Sequence, residues 1–301
     1  MKLNVWMLLV VVLVSCSTGK EKEESREESS DFLAGEIVSE LKLKELAEAS
    51  GLVASQTNAG YFWTINDSGN GAKVFLVDEK MNIKLTCKLS GIKNRDWEDV
   101  AIGLDPETKK NYIYVAEIGD NYAQYLHKMI YRFEEPTLGD STVLTLQREQ
   151  IQQIVFRLPE GAKDTEAIMI DPLTHDIYII SKREMPVHVY SLVYPQSMTD
   201  TLMAQSVTTL PFTQATAANF SLDGMEVLVK NYDSIYYWRR DKTETVQQML
   251  VQRPKVLNYI PEPQGESIAW SLDGSGYYTL SEKVGGRKTN LLFYRRKETA
   301  N

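Results

Sequence analysis

Acidic side chains recur along this chain at a near-regular interval, and they are the groups best suited to chemistry. Glu48, Glu98, Glu166, Asn219 and Glu266 each open a short run of alternating apolar residues. The starts lie 50, 68, 53 and 47 residues apart. Asp96 and Asp99 flank one of these starts, and Asp67, Asp120, Asn121, Lys182 and Glu282 fall at the ends of the strands that follow the runs. Carboxylates gathered in one place cannot all stay ionised without compensation. Either a cation sits among them, or bases such as Arg95, Lys182, Arg183 and Lys230 neutralise them. Hard oxygen donors favour Ca²⁺ or Mg²⁺ over zinc, copper or iron. Glu98, Glu166 and Glu266 are the expected ligands and Ca²⁺ the expected ion. The opposing structural reading is that these acids cap turns and bond backbone amides.

Other chemistries find less support. The three histidines, His127, His175 and His188, show no metal-ligand spacing. Ser68 and Ser181 have no nucleophile elbow around them, and no glycine-rich phosphate loop is present. A formal net charge of −8 and a pI of about 5.1 argue against a nucleic-acid partner. Only two cysteines occur. Cys87 lies in an alternating segment, Lys84–Leu89, and is expected to be a buried, unpaired small hydrophobe.

These acids must be held by something repetitive. Each run is followed by a second aromatic or β-branched strand: Tyr61–Ile65, Tyr112–Ala116, Ile177–Ile180, Glu226–Val229 and Gly276–Leu280. Third strands follow at Val74–Val77, Met129–Phe133, Val187–Val193, Ile235–Trp238 and Leu291–Tyr294, and outer strands fit Lys84–Leu89, Gln153–Leu158, Ser206–Leu210 and Gln248–Val251. A four-stranded unit of roughly 40–50 residues is the period of a propeller blade. The fold is therefore read as an all-β propeller of five four-stranded blades. The last unit runs out after three strands, so the alternating segment Glu36–Leu43 supplies its outer strand and closes the ring. The count becomes six if the long second unit hides a strand group around Thr142–Ile151. Gly285-Gly286 reads as a hairpin turn. In a propeller the first strands line a central channel, so their starts and the ends of the second strands share one channel mouth. Polar aromatic loop residues, Trp63, Tyr122 and Tyr125, are expected on the same face.

The N-terminus carries an address. Lys2 precedes a short apolar run, Val5–Val14, too short to span a bilayer. The run ends Leu13-Val14-Ser15-Cys16, which reads as a signal peptide of residues 1–15 with a lipobox, lipidated at Cys16. Residues 16–35 follow as an acidic tether, and residues 36–301 as one propeller domain. The expected location is the cell envelope, lipid-anchored to the outer membrane.

Several phrases together resemble a known family: Glu48-Ala49-Ser50-Gly51-Leu52, Trp63-Thr64-Ile65-Asn66-Asp67-Ser68-Gly69-Asn70, Asp96-Trp97-Glu98-Asp99, Ile118-Gly119-Asp120-Asn121, Thr165-Glu166-Ala167 and Gln264-Gly265-Glu266-Ser267. Over about residues 45–283 the chain resembles a largely uncharacterised family of bacterial secreted and lipoprotein propellers, similar in fold to phytase-like and gluconolactonase-like propellers. The resemblance implies a propeller and an exported location, and no substrate. Where that pattern favours an acid in the fourth unit, this chain has Asn219. Two functions stay open. One is a module that binds a small molecule or protein partner, with Ca²⁺ at its acidic mouth. The other is a metal-dependent hydrolase of phosphoesters or lactones.

Overall fold

The computed structural model describes residues 31–298; the leader, Cys16 and most of the tether lie outside the described residues. The chain forms five antiparallel sheets arranged in a ring. Each blade runs outward in chain order. The innermost strands are Ala49–Ala54, Trp97–Leu104, Thr165–Ile170, Ala215–Phe220 and Gly265–Trp270. Each touches the innermost strand of the next blade, and the fifth touches the first.

Strand periodicity explains why the blades stack. Alternate residues of a strand point to opposite faces. In the third inner strand Ala167 and Met169 join the core shared with the fourth blade, whereas Ile168 and Ile170 join the core shared with the second. Five such clusters each fill one seam between neighbouring blades. Both faces of the inner strands are thus dry, and this is why their sequences are almost wholly apolar beyond their first residues.

The ring closes as the alternating N-terminal segment suggested. Glu36–Glu40 pairs antiparallel with Asn290–Arg295 as the outer strand of the fifth blade. Backbone bonds extend this seam at both ends, from Lys297 N to Asp31 O (2.9 Å) and from Leu41 N to Thr289 O (2.8 Å). Gly285 and Gly286, both at positive φ, lie in the connection before Asn290–Arg295.

The blade count is five. The segment that raised the count of six, around Thr142–Ile151, contributes Val143–Leu146 as a fifth strand parallel to Ile83–Leu89 of the first blade. In the same way Leu202–Met203 adds a parallel edge to Gln152–Arg157 of the second blade. Each is a segment of the following unit laid across its predecessor. One expected strand is a helix: Gln248–Val251 overlaps the helix Val246–Leu250. Thr245 and Gln248 form a capping box, and Val246, Met249 and Leu250 at i, i+3 and i+4 bury against the seam of the third and fourth blades. The outer strand of the fourth blade is instead Lys255–Leu257.

The opposite pole is locked by ion pairs. Arg240 grips Asp171 of the preceding blade (2.5 and 3.0 Å), and Arg296 grips Glu226 of its predecessor (2.6 and 3.0 Å). Cys87 is a free, buried thiol in the core between the first two blades, and burial pushes its pKa up to about 12.

Candidate functional site

Every inner strand carries a β-bulge within its first three residues. The unpaired residues are Gly51, Glu98, Glu166, Thr216 and Glu266. A bulge leaves one residue out of the ladder and re-aims its side chain. Three of the five bulged residues are glutamates, and the site is built on them. The first bulge is possible only with glycine. Gly51 has a φ of +67°, and a Cβ there would lie 2.7 Å from both Asp99 Oδ1 and Val100 N.

The ends of the second strands complete the mouth. Asp67, Lys182, Tyr232 and Glu282 each follow the last residue of a second strand: Asn66, Ser181, Asn231 and Ser281. Lys182 Nζ lies 2.9 Å from Glu166 Oε2 and 3.9 Å from Glu266 Oε1. Glu266 also accepts from Tyr232 Oη (2.6 Å) and from Gln264 Nε2 (3.2 Å). Glu98 packs its carboxyl against that of Glu166, and Glu282 against that of Glu266. Asp67, Asp96 and Glu98 place one carboxylate oxygen each within 4.8 Å of one another. Room for this trio comes from Gly119, where a Cβ would fall 2.0 Å from Glu98 Oε1 and 2.6 Å from the Asp96 carboxyl.

Electrostatics follow from burial. Glu98, Glu166, Glu266 and Glu282 are all at most 7% exposed. Desolvation, reinforced by the neighbouring Glu166, Asp67 and Asp96, pushes the Glu98 carboxyl well above the usual range. Burial raises Glu166 as well, to about 8, against the lowering influence of Lys182 and of its contact with Glu98. Burial, then Glu266 and Asp67, likewise raises Glu282, whose Oε1 has no hydrogen-bond partner. Asp67 is pushed up to about 6 by burial and, more weakly, by Glu266 and Asp96. Asp96 is raised by burial and by Asp164 and Asp120. Among the described residues no salt bridge engages Asp67, Asp96 or Glu98, while Lys182 serves Glu166 and Glu266.

The other acids named from sequence have different surroundings. Asp99 accepts from Val100 N (2.8 Å) and from Ile168 N of the third blade (3.0 Å). Asn219 lies deeper in its strand, and its Oδ1 accepts from Trp270 N (3.0 Å). Asp120 caps its loop through Gln124 N and Tyr125 N (2.8 and 2.7 Å). Asn121 is exposed and bonds Arg183, whose Nε lies 2.7 Å from Asp164 Oδ2. Glu48 is exposed and accepts from Asn70 Nδ2 (2.5 Å). Glu48 and Asn219 were matched to Glu98 by sequence pattern, but the bulge occupants of their blades are Gly51 and Thr216. Trp63 is not on the face. It is fully buried between the first two blades, and its Nε1 donates to Glu135 Oε1 (2.8 Å). Tyr122 and Tyr125 do stand exposed in the loop beside the mouth, with Arg95 stacked over the Tyr125 ring at 4.1 Å.

Tyr232 and Lys128 escaped the sequence reading. Tyr232 could have been found, because it occupies the same offset after its second strand as Asp67, Lys182 and Glu282. Lys128 Nζ donates to Ile118 O (2.6 Å) under the mouth, and burial lowers its pKa to about 8. At the far ends of the inner strands a hollow of about 40 Å³ is lined by residues such as Ile170, Asn219, Phe220 and Trp270. No protein-family model and no curated protein matches the chain.

Proposed function

We propose that this propeller is a binding module whose channel mouth takes a hard divalent cation, Ca²⁺ by its donor set, and uses it to hold a small-molecule or protein ligand. The observation that supports this reading is the Asp67–Asp96–Glu98 trio. Its oxygens converge within 4.8 Å and, among the described residues, no salt bridge engages them, although Arg95 and Lys128 attract Asp96 from further off; a second acidic pair beside them is served by Lys182. Three oxygen donors leave further positions on a Ca²⁺ ion, which prefers 6–8, for water or a ligand. The site lies on a rigid ring, so its donors are pre-positioned. The lipid anchor at Cys16 would hold the module at the outer membrane, with the mouth free to receive its ligand.

The reading is tested by titrating the chelated protein with Ca²⁺ in a calorimeter at pH 7.5, with Asp96→Asn in parallel. A sub-millimolar site that weakens at least ten-fold in the variant supports it. An absence of heat in the wild-type protein sinks it. The hydrolase reading draws on the raised carboxyls Glu98 and Glu166, since a carboxyl kept neutral near pH 7 can act as a general acid. Turnover of phytate, phosphomonoesters or lactones, dependent on Ca²⁺ and lost in Glu166→Gln, would favour it over binding alone.

A further inference from the structure

The chain is acidic, with a formal net charge of −8, yet one hollow at the periphery of the fourth and fifth blades is basic. It encloses about 500 Å³ and lies away from the carboxylate mouth. Arg239, Arg253, Lys255, Arg296 and Lys297 line it, opposed only by Asp31 and Glu298.

The backing of this hollow is rigid. Arg296 is held by Glu226 through both terminal nitrogens (2.6 and 3.0 Å), and its Nε donates to Gly274 O (2.9 Å). Tyr237 and Trp238 form part of the wall, and both are buried; Trp238 Nε1 donates to Gln252 O (2.9 Å). Lys255 Nζ is 2.6 Å from Asp31. Among the described residues no salt bridge engages Arg239, Arg253 or Lys297. Arg253 and Lys297 thus bring charge to a concave surface without a salt bridge among the described residues, while Arg239 also attracts Asp223. A cleft lined by one sign of charge focuses the field and concentrates counter-ions. Guanidinium forks match the oxygens of phosphate, and ammonium groups add point charge to them. A volume of this size suits a small molecule, within the usual range of about 300–1,000 Å³.

We infer that this hollow is an anion site that takes a phosphate group, carried either by a soluble phosphorylated molecule or by a lipid headgroup. The two sources share one recognition chemistry. Asp31 lines the hollow, so the chain upstream enters the propeller at this site. From Cys16 to Asp31 an extended chain reaches at most about 50 Å. Headgroups of a membrane that held Cys16 would lie within that distance.

The test compares the full chain with the double charge reversal Arg253→Glu/Lys297→Glu, both residues being exposed and outside any described ion pair. Pyrophosphate is titrated calorimetrically at low salt without divalent cations. Vesicles of phosphatidylglycerol or of phosphatidylcholine are co-sedimented with each protein. Both proteins carry the same residues 1–30, so the difference between them reads the hollow alone. The expected result is pyrophosphate binding weakened at least ten-fold by the reversal and abolished near 0.5 M salt, where the Debye length falls to a few ångströms. Reversal-sensitive preference for phosphatidylglycerol without pyrophosphate binding assigns the site to a headgroup. Pyrophosphate binding without that preference assigns it to a soluble ligand. No binding of either probe at low salt, or equal binding by the reversed protein, overturns the proposal. The outcome is independent of Ca²⁺ at the mouth.

Discussion

Replacing Lys182 by Met keeps the volume of the side chain and deletes the single cation between Glu166 and Glu266. Glu166 is 3% exposed, so its carboxylate then has no basic partner and too little water to stay charged. It must take up a proton. A free Glu titrates near about 4.3, and each unit of pH above that costs about 1.36 kcal/mol. Holding Glu166 neutral therefore costs about 3.7 kcal/mol at pH 7 and about 1 kcal/mol at pH 5. The wild-type carboxyl, raised by burial to about 8 even with Lys182 lowering it, already carries most of that cost at pH 7, so the variant's extra loss opens above pH 8 and grows by about 1.36 kcal/mol for each further unit. The sign follows from linkage. In the variant Glu166 has a folded pKa above its unfolded one, so its contribution is intact below the unfolded value and is lost as pH rises. Urea unfolding, followed by the fluorescence of buried Trp63 and Trp97, should show the deficit of Lys182→Met nearly constant from pH 5 to pH 7 and widening by about 1 kcal/mol between pH 8 and pH 9. A deficit that stays equal from pH 7 to pH 9 would mean that the lysine acts by packing, and would refute the charge argument.

Three further outcomes follow from the same geometry. Glu98→Gln removes a carboxyl whose pKa is raised by burial, a group that destabilises the fold as pH climbs past about 4.3; melting temperatures between pH 5 and 8 should therefore fall less steeply in the variant, while any Ca²⁺-induced rise in melting temperature disappears. Gly119→Ala sets a methyl group 2.0 Å from Glu98 Oε1 and should displace Glu98 and Asp96, lowering stability by about 1–3 kcal/mol in urea titration and weakening Ca²⁺ binding in calorimetry. Arg240→Ala strands buried Asp171 between the third and fourth blades, so unfolding free energy should drop by about 3–5 kcal/mol with no change in Ca²⁺ affinity.

The blades were legible because period-two alternation and turn residues are local signals. All five inner, second and third strands appear where the alternation places them, within a residue or two. The helix Val246–Leu250 was missed although Thr245 and Gln248 announce a capping box, because the blade period demanded a strand there. Val143–Leu146 could not be assigned from pattern, since its partner strand Ile83–Leu89 belongs to another unit, and parallel pairing leaves no hairpin signature. At the mouth, sequence identified the glutamates of the second, third and fifth blades. It misaligned the first and fourth, because a one-residue bulge shifts which side chain faces the channel, and Ser50-Gly51 and Thr216 carry no charge to mark the place. The sequence marks Lys182 as a neutraliser, but only geometry shows that its close contacts are to Glu166 and Glu266 and that it reaches Asp67 more weakly.

The strand Glu36–Glu40 sets how the molecule bears mechanical load. A pull on the chain upstream of Asp31 enters the ring through an outermost strand held on one side only, by its ladder to Asn290–Arg295. Such a strand can peel, rung by rung, towards Leu41 once Phe32 leaves the seam of the fourth and fifth blades, where it packs on Tyr237, Trp270 and Tyr277. The edge uncovered would be Asn290–Arg295, with its backbone groups open to any extended segment that could replace the lost strand. The first and last described strands meet in one blade, and that blade is the mechanical fuse of the ring.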